Sequence, residues 1–122
     1  MRKLLGIGGS EDSFRALEHT VERVAVADDE LTVCIVENPV TEIEPDAIAE
    51  RVRGVLDDAG VDADVRVVEG HPGSRLVEIA ESEEFDEIVL GGGMRSPMGK
   101  IEVGNVAEYV IMNSRVTVKL VR

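Results

Sequence analysis

The segment from 87 to 108 has the residue types and spacing of an anion-binding loop. The apolar run that ends at Leu90 is too short for a helix, and it leads into the glycines at 91–93. The loop later reaches Gly104, which stands before Asn105, a good helix N-cap. Glycine lets backbone N–H groups approach a ligand, and the unpaired N–H groups of a first helical turn attract anions. The pattern predicts a phosphate site, although it is also typical of a tight strand-to-helix turn without a ligand.

A second glycine-rich turn, formed by Gly8, Gly9 and Ser10, lies near the start of the chain. It follows a short apolar run, and Ser10 is placed where it can cap a helix. The same segment partly matches a dinucleotide-binding motif, but Glu11 occupies the position of the motif's last glycine. This turn is therefore a second candidate for ligand binding and a weak match to that motif.

Alternating strands and helices are expected to position these two turns. Apolar residues recur at three- and four-residue spacing in the helices, whereas the strands are short apolar or alternating runs. Pro45 suits the first turn of the second helix and Gly60 its end. Ser74 is a candidate cap of the third helix, and Asn105 with Glu108 fits a capping-box variant in the fourth. The predicted strands cover residues 2–8, 31–36, 61–68, 86–90 and 116–121.

Strict alternation with helix-length connections predicts an α/β fold of the Rossmann-like type. We expect a single doubly wound five-stranded parallel sheet in the order 3-2-1-4-5, with four helices. Ligands of such sheets bind where the strand order reverses, beyond the carboxyl ends of the strands. That point lies between the first and fourth strands, so both glycine-rich turns are expected at one crevice. His71, in the loop before the third helix, could also approach a ligand there, but such residues more often shape the loop.

The length of 122 residues predicts one domain, residues 1–122, that buries roughly two-thirds of its unfolded surface. The only cysteine, Cys34, lies in an apolar run and is expected to be a small buried hydrophobe. His19 and His71 are far apart, and neither has a nearby cysteine or second histidine. We therefore predict no metal site and no disulfide.

The net charge of −12, from 25 acidic and 13 basic residues, limits the classes of partner. It disfavours nucleic acid and acidic membranes, because the long-range field repels both. The acidic residues are spread along the chain, which predicts the surface of a halophile's protein in a salt-rich cytosol. At molar salt the Debye length is about 3 Å, so an anion site would have to depend on backbone N–H groups.

The first residues are too few and too glycine-rich for a signal peptide, and no apolar stretch approaches membrane-spanning length. A cytoplasmic protein is therefore expected.

At these residues the chain resembles the universal stress protein family, over nearly its whole length. ATP-binding members carry Gly-x2-Gly-x9-Gly-(Ser/Thr) after the fourth strand, and Gly91 and Gly104 match its first and last glycines. Met94 stands at the second glycine and Asn105 at the Ser/Thr. The resemblance implies an adenine nucleotide alpha hydrolase-like fold. Gly8 departs from the family as well, because ATP-binding relatives often have Asp there.

These departures affect different parts of nucleotide binding. The Met94 side chain would block the backbone's approach to phosphate unless Gly93 replaces the second glycine through a one-residue slip. Asn105 offers an amide instead of a small hydroxyl, and Gly8 removes the expected carboxylate. Arg95 and Lys100 are either phosphate neighbours or solvated cations.

The resemblance implies a small dimeric regulatory or stress-response protein that holds ATP or another adenine nucleotide, with Mg²⁺ only alongside the nucleotide. The alternative is a family member that has lost nucleotide binding and acts as an interaction module. The residues implied in nucleotide binding are Gly8, Gly9, Ser10, Ile35, Val36, Gly91, Gly93, Met94, Arg95, Ser96, Gly104 and Asn105.

No nucleophile is paired with a base in the sequence, so we predict no catalytic residue and at most slow ATP hydrolysis. The resemblance also implies a homodimer through pairing of the last strands. Pairing would protect an exposed edge strand from uncontrolled association.

Overall fold

A computed structural model describes residues 1–37, 43–92, 94–95, 101–102 and 104–122 of the chain. Four helices cover two faces of a parallel sheet, and a short antiparallel pair of strands lies outside that sheet. The helices are α1 (Glu11–Ala27), α2 (Pro45–Ala59), α3 (Pro72–Ser82) and α4 (Asn105–Asn113). The strands are β1 (Arg2–Ile7), β2 (Glu30–Val36), β3 (Asp64–Val68), β4 (Glu87–Gly91), β5 (Met94–Arg95), β6 (Ile101–Glu102) and β7 (Thr117–Val121).

The main sheet has five parallel strands in the order β3-β2-β1-β4-β7. This order confirms the predicted doubly wound fold, with β7 as the fifth strand. The antiparallel pair β5 and β6 was not predicted; it places Met94 opposite Glu102 and Arg95 opposite Ile101. Two-residue strands are too short to produce a periodic hydrophobic pattern, which is why the sequence did not reveal them.

The main sheet separates two hydrophobic clusters. Leu5 and Leu17 belong to the cluster beneath α1 and α2, whereas Leu4 and Leu76 belong to the cluster beneath α3 and α4. Consecutive strand residues reach different clusters because their side chains point to opposite faces. Cys34 lies fully buried in the second cluster, and this burial raises the pKa of its thiol to about 11.

The caps of two helices differ from the predicted ones. α3 is capped by His71 and not by Ser74, which lies inside the helix. α4 begins one residue earlier than predicted, with Gly104 as its N-cap and Asn105 as its first residue. Glu108 is therefore outside the capping-box position, and its backbone N–H donates to the Gly104 carbonyl at 2.9 Å. Both differences arise because several residue types are acceptable caps.

One strand boundary was wrong by several residues. The third strand begins at Asp64, three residues later than predicted. On α4, Ile111 is 46% exposed although it is apolar. Within the part of the chain that the structure describes, no helix is both long and apolar enough to cross a lipid bilayer.

Candidate functional site

A cavity of about 470 Å³ lies where β1, β2 and β4 end and the helices α1, α3 and α4 begin. Ligands of open α/β sheets bind at this position, and small-molecule sites usually measure about 300 to 1,000 Å³. The described residues that line the cavity are Gly6, Gly8, Ser10, Ser13, Val36, Glu37, His71, Pro72, Leu76, Leu90, Gly91, Gly104, Asn105, Val106 and Ala107.

Both glycine-rich turns reach this cavity. Because β1 and β4 are neighbours in the sheet, the turns that follow them lie side by side, as the predicted strand order requires. The residues of the predicted site that line the cavity are Gly8, Ser10, Val36, Gly91, Gly104 and Asn105.

Two other residues of the predicted site lie away from the cavity wall. Gly9 is buried and has a φ of 92°, a left-handed conformation that only glycine adopts easily. Ile35 is 1% exposed and belongs to the cluster beneath α1 and α2. Since adjacent strand residues face opposite sides, Val36 lines the cavity while Ile35 packs in the core.

The rest of the predicted site is only partly visible. Gly93 and Ser96 lie outside the described residues, as does Lys100. The backbone of Met94 and Arg95 forms β5, but the positions of their side chains are not described.

Gly91 is required by packing between two main chains. A Cβ atom on Gly91 would lie 2.2 Å from the carbonyl oxygen of Asp12 and 2.7 Å from the backbone nitrogen of Ser13. Both distances are shorter than real Cβ contacts, and the neighbouring atoms are backbone atoms that cannot move aside. Gly91 therefore lets the end of β4 come against the first turn of α1, and this contact forms one wall of the cavity.

Gly104 has no such requirement. Its φ of −64° and ψ of 158° suit any L-residue, and a Cβ atom would meet no described atom within 4 Å. Among the described atoms, the space beside Gly104 is therefore open, and Gly104 lines the cavity. Gly104 also provides no side chain to cap the helix, so no cap side chain competes with a ligand for the first-turn N–H groups of α4.

The start of α1 differs from the start of α4 because its own side chains cap it. The Ser10 hydroxyl accepts from the Ser13 backbone N–H at 3.2 Å, and the Ser13 hydroxyl donates to the Ser10 carbonyl at 2.7 Å. A hydroxyl that accepts still carries its own proton, so Ser10 can donate to a ligand. Of the two, α4 offers the more open set of backbone donors.

His71 lines the cavity although it was not assigned to the predicted site. Its Nδ1 accepts from the backbone N–H of Ser74 at 3.1 Å, and its ring packs at 4.9 Å and 59° against Tyr109. The signal in the sequence was its position, in a loop at the carboxyl end of a strand. Pro72 and Leu76 were missed as well, because they line the cavity only through the way α3 packs on the sheet.

The described lining of the cavity is mostly apolar and carries few charges. Val36 and Leu90 provide apolar surface, with Leu76 fully buried behind them, and Glu37 is the one charged residue among the described lining residues. The parts of the chain that are described contain no group of three or more His, Cys, Asp or Glu side chains that could hold a metal ion. This arrangement suits a flat apolar group with an anionic substituent that faces backbone N–H groups.

Residues 1–122 match the model of the universal stress protein family. This chain belongs to the universal stress protein family. The universal stress protein MJ0577 of Methanocaldococcus jannaschii is 29% identical over 119 residues, which cover 98% of this chain and 64% of the relative. MJ0531 of the same organism is 33% identical over 73 residues, which cover 60% of this chain and 43% of the relative. The matches thus span less than two-thirds of these relatives' own lengths.

Solved structures show the same fold. A universal stress protein from Archaeoglobus fulgidus superposes with a TM-score of 0.79 at 19% identity, covering 100% of this chain and 98% of that one. A universal stress protein in complex with cAMP gives 0.75 at 24% identity, with 100% and 97% coverage. The Archaeoglobus fulgidus protein in complex with dAMP gives 0.72 at 16% identity, with 100% and 98% coverage.

Proposed function

We propose that this universal stress protein domain binds an adenine nucleotide in the cavity, as part of a regulatory or stress-response function. The observation that carries the proposal is Gly104: its conformation and its described surroundings do not require glycine, and it stands beside the uncapped start of α4. A glycine at such a place leaves room for a ligand atom close to the backbone. Structural relatives bound to cAMP and dAMP support an adenine nucleotide as the ligand.

The cavity suggests how the nucleotide is held. Val36 and Leu90 contact the base, and the first-turn N–H groups of α4 bind phosphate beside Gly104 and Asn105. The loop residues of the predicted site complete the phosphate side, while Gly9 supports the turn between β1 and α1. These loop residues are Gly93, Met94, Arg95 and Ser96.

Mg²⁺ enters this site only with a nucleotide. The ion prefers oxygen ligands and usually shares them with substrate phosphates. Gly8, at the end of β1, supplies no carboxylate for it. Phosphate oxygens and water would therefore form most of its coordination shell.

The test is whether the whole chain binds nucleotide and whether binding depends on the main chain at Gly104. Mass spectrometry of co-purified small molecules, with calorimetry against ATP, ADP and AMP in molar KCl, is expected to detect an adenine nucleotide. Gly104→Val should abolish binding, because its side chain fills the space beside α4, whereas Lys100→Ala should leave binding detectable. Circular dichroism should show that both variants fold.

An absence of nucleotide and of binding heat in the wild-type protein would contradict the proposal. That result would support the alternative, an interaction module with a degraded nucleotide motif. Binding that is lost in Lys100→Ala but retained in Gly104→Val would instead move the phosphate site from backbone to side chain.

We further propose a homodimer in which β7 pairs with its copy across a two-fold axis. β7 is an edge strand of the main sheet, hydrogen-bonded to β4 on one side. Ile111 and Met112 are exposed apolar residues on α4, the helix that packs against β7. The charge of −12 supports a salt-rich cytoplasm as the place where this dimer works.

A further inference from the structure

The two ring nitrogens of His71 have different roles: one accepts a hydrogen bond within α3, and the other has no hydrogen-bond partner among the described residues. Nδ1 accepts from the Ser74 backbone N–H, so the neutral imidazole carries its proton on Nε2. No hydrogen bond within the described part of the chain uses this Nε2–H group. The side chain therefore caps α3 with one nitrogen and offers a donor with the other.

The ring is also held in place by α4. Its centroid lies 4.9 Å from that of Tyr109. Tyr109 in turn packs directly over Gly73, where a Cβ atom would lie 2.6 Å from Cδ1 of Tyr109. The α3 and α4 helices thus approach closely at this point, and the imidazole is restrained by both of them.

The His71 ring lies on the same side of the cavity as the start of α4. Tyr109 follows Asn105 by four residues, so the two lie one above the other on α4. Asn105 and His71 both line the cavity. An anion at the first turn of α4 would therefore lie on the side from which the imidazole approaches.

We propose that His71 contacts the bound nucleotide and that its Nε2–H donates a hydrogen bond to the phosphate. This inference rests on the proposed function and adds a side-chain donor to the backbone N–H groups of α4. It makes His71 a residue that favours phosphorylated ligands over the bare nucleoside. Hydrogen bonds to charged oxygens are the strong ones, so the preference should be measurable.

The test compares the binding of AMP and adenosine by calorimetry in molar KCl. His71→Ser retains a hydroxyl that can cap α3 but is too short to replace the Nε2–H donor. The His71→Ser variant is expected to bind AMP about tenfold more weakly than the wild type and to keep its affinity for adenosine within about twofold. Tyr109→Phe, which keeps the ring contact, is the control and should bind both ligands like the wild type.

Each other outcome overturns a defined part of the inference. Equal losses for AMP and adenosine would show that His71 acts on the nucleoside or only through the fold. Unchanged affinity for both ligands would show that His71 makes no contact. Wild-type protein that binds none of ATP, ADP and AMP would contradict the proposed function itself, whereas wild-type protein that binds ATP but prefers adenosine to AMP would contradict only the inference about His71.

Discussion

The glycines around the cavity occupy their positions for different physical reasons. Gly9 has a left-handed backbone, Gly91 permits contact between two main chains, and Gly104 stands beside open space. The first two support the fold, so their substitution should reduce stability whether or not a ligand binds. Of the three, Gly104 is the glycine whose substitution should lower ligand affinity and leave stability unchanged.

Gly91→Ala is expected to lower the free energy of unfolding by about 3 kcal/mol, because the new Cβ would overlap the Asp12 carbonyl. Gly54→Ala is the control. Gly54 lies inside α2, a Cβ there meets no described atom within 4 Å, and alanine should raise stability by about 0.5 to 1 kcal/mol. Urea denaturation in molar KCl measures the free energy of unfolding of both variants and of the wild type. A stable Gly91→Ala protein would contradict the packing explanation.

At the scale of elements, an ion pair joins the edge strand β3 to the end of α3. Arg66 donates to both carboxylate oxygens of Glu83 at 2.7 and 3.0 Å, and its Nε donates to Asp64 at 2.7 Å. Hydrogen bonds from Arg66 lower the pKa of the Glu83 carboxyl from its ordinary value. The pair therefore stabilises the charged form of Glu83 in the folded protein. It also ties β3, which has only one neighbouring strand in the main sheet, to the end of α3.

This ion pair predicts a pH-dependent contribution to stability. Because the folded-state pKa of Glu83 is lowered, the contribution is complete above the unfolded-state pKa of about 4.3 and is lost as pH falls through the folded-state value. Glu83→Gln should be less stable than the wild type at pH 7, and the difference should disappear in acid.

Thermal unfolding at several pH values measures this difference. Glu18→Gln, on the exposed side of α1, controls for the removal of one negative charge. The pair would have no stabilising effect if Glu83→Gln and the wild type were equally stable at pH 7.

For the whole molecule, the strand order could be predicted from the sequence because alternating elements and right-handed crossovers leave few arrangements. The continuous apolar run in β2 could not show whether Ile35 or Val36 faces the cavity, since both faces of that strand are buried. The contact behind Gly91 could not be predicted either, because it joins residues that are far apart in the sequence. The sequence thus predicted where the cavity lies in the fold but not which individual residues line it.

The proposed dimer predicts that a charge on β7 changes the assembly. Size-exclusion chromatography with light scattering in molar KCl should give twice the monomer mass for the wild type. Thr117→Lys should reduce it to the monomer mass, because a second lysine on this exposed edge strand, two residues from Lys119, opposes pairing with the same strand of a second copy. Val67→Lys, also at an exposed position but on the opposite edge strand β3, is the matched control and should stay dimeric. A monomeric wild type would refute the dimer.

The contact between β4 and α1 has a consequence for how the cavity can diversify among descendants of this protein. Its wall at Gly91 is made by two main chains, so exchanging side chains there cannot reshape it without displacing a whole helix. Other lining residues near α3 and α4 contribute side chains, among them His71 and Val106. New ligand preferences should therefore evolve through α3 and α4, while the wall at α1 is inherited unchanged.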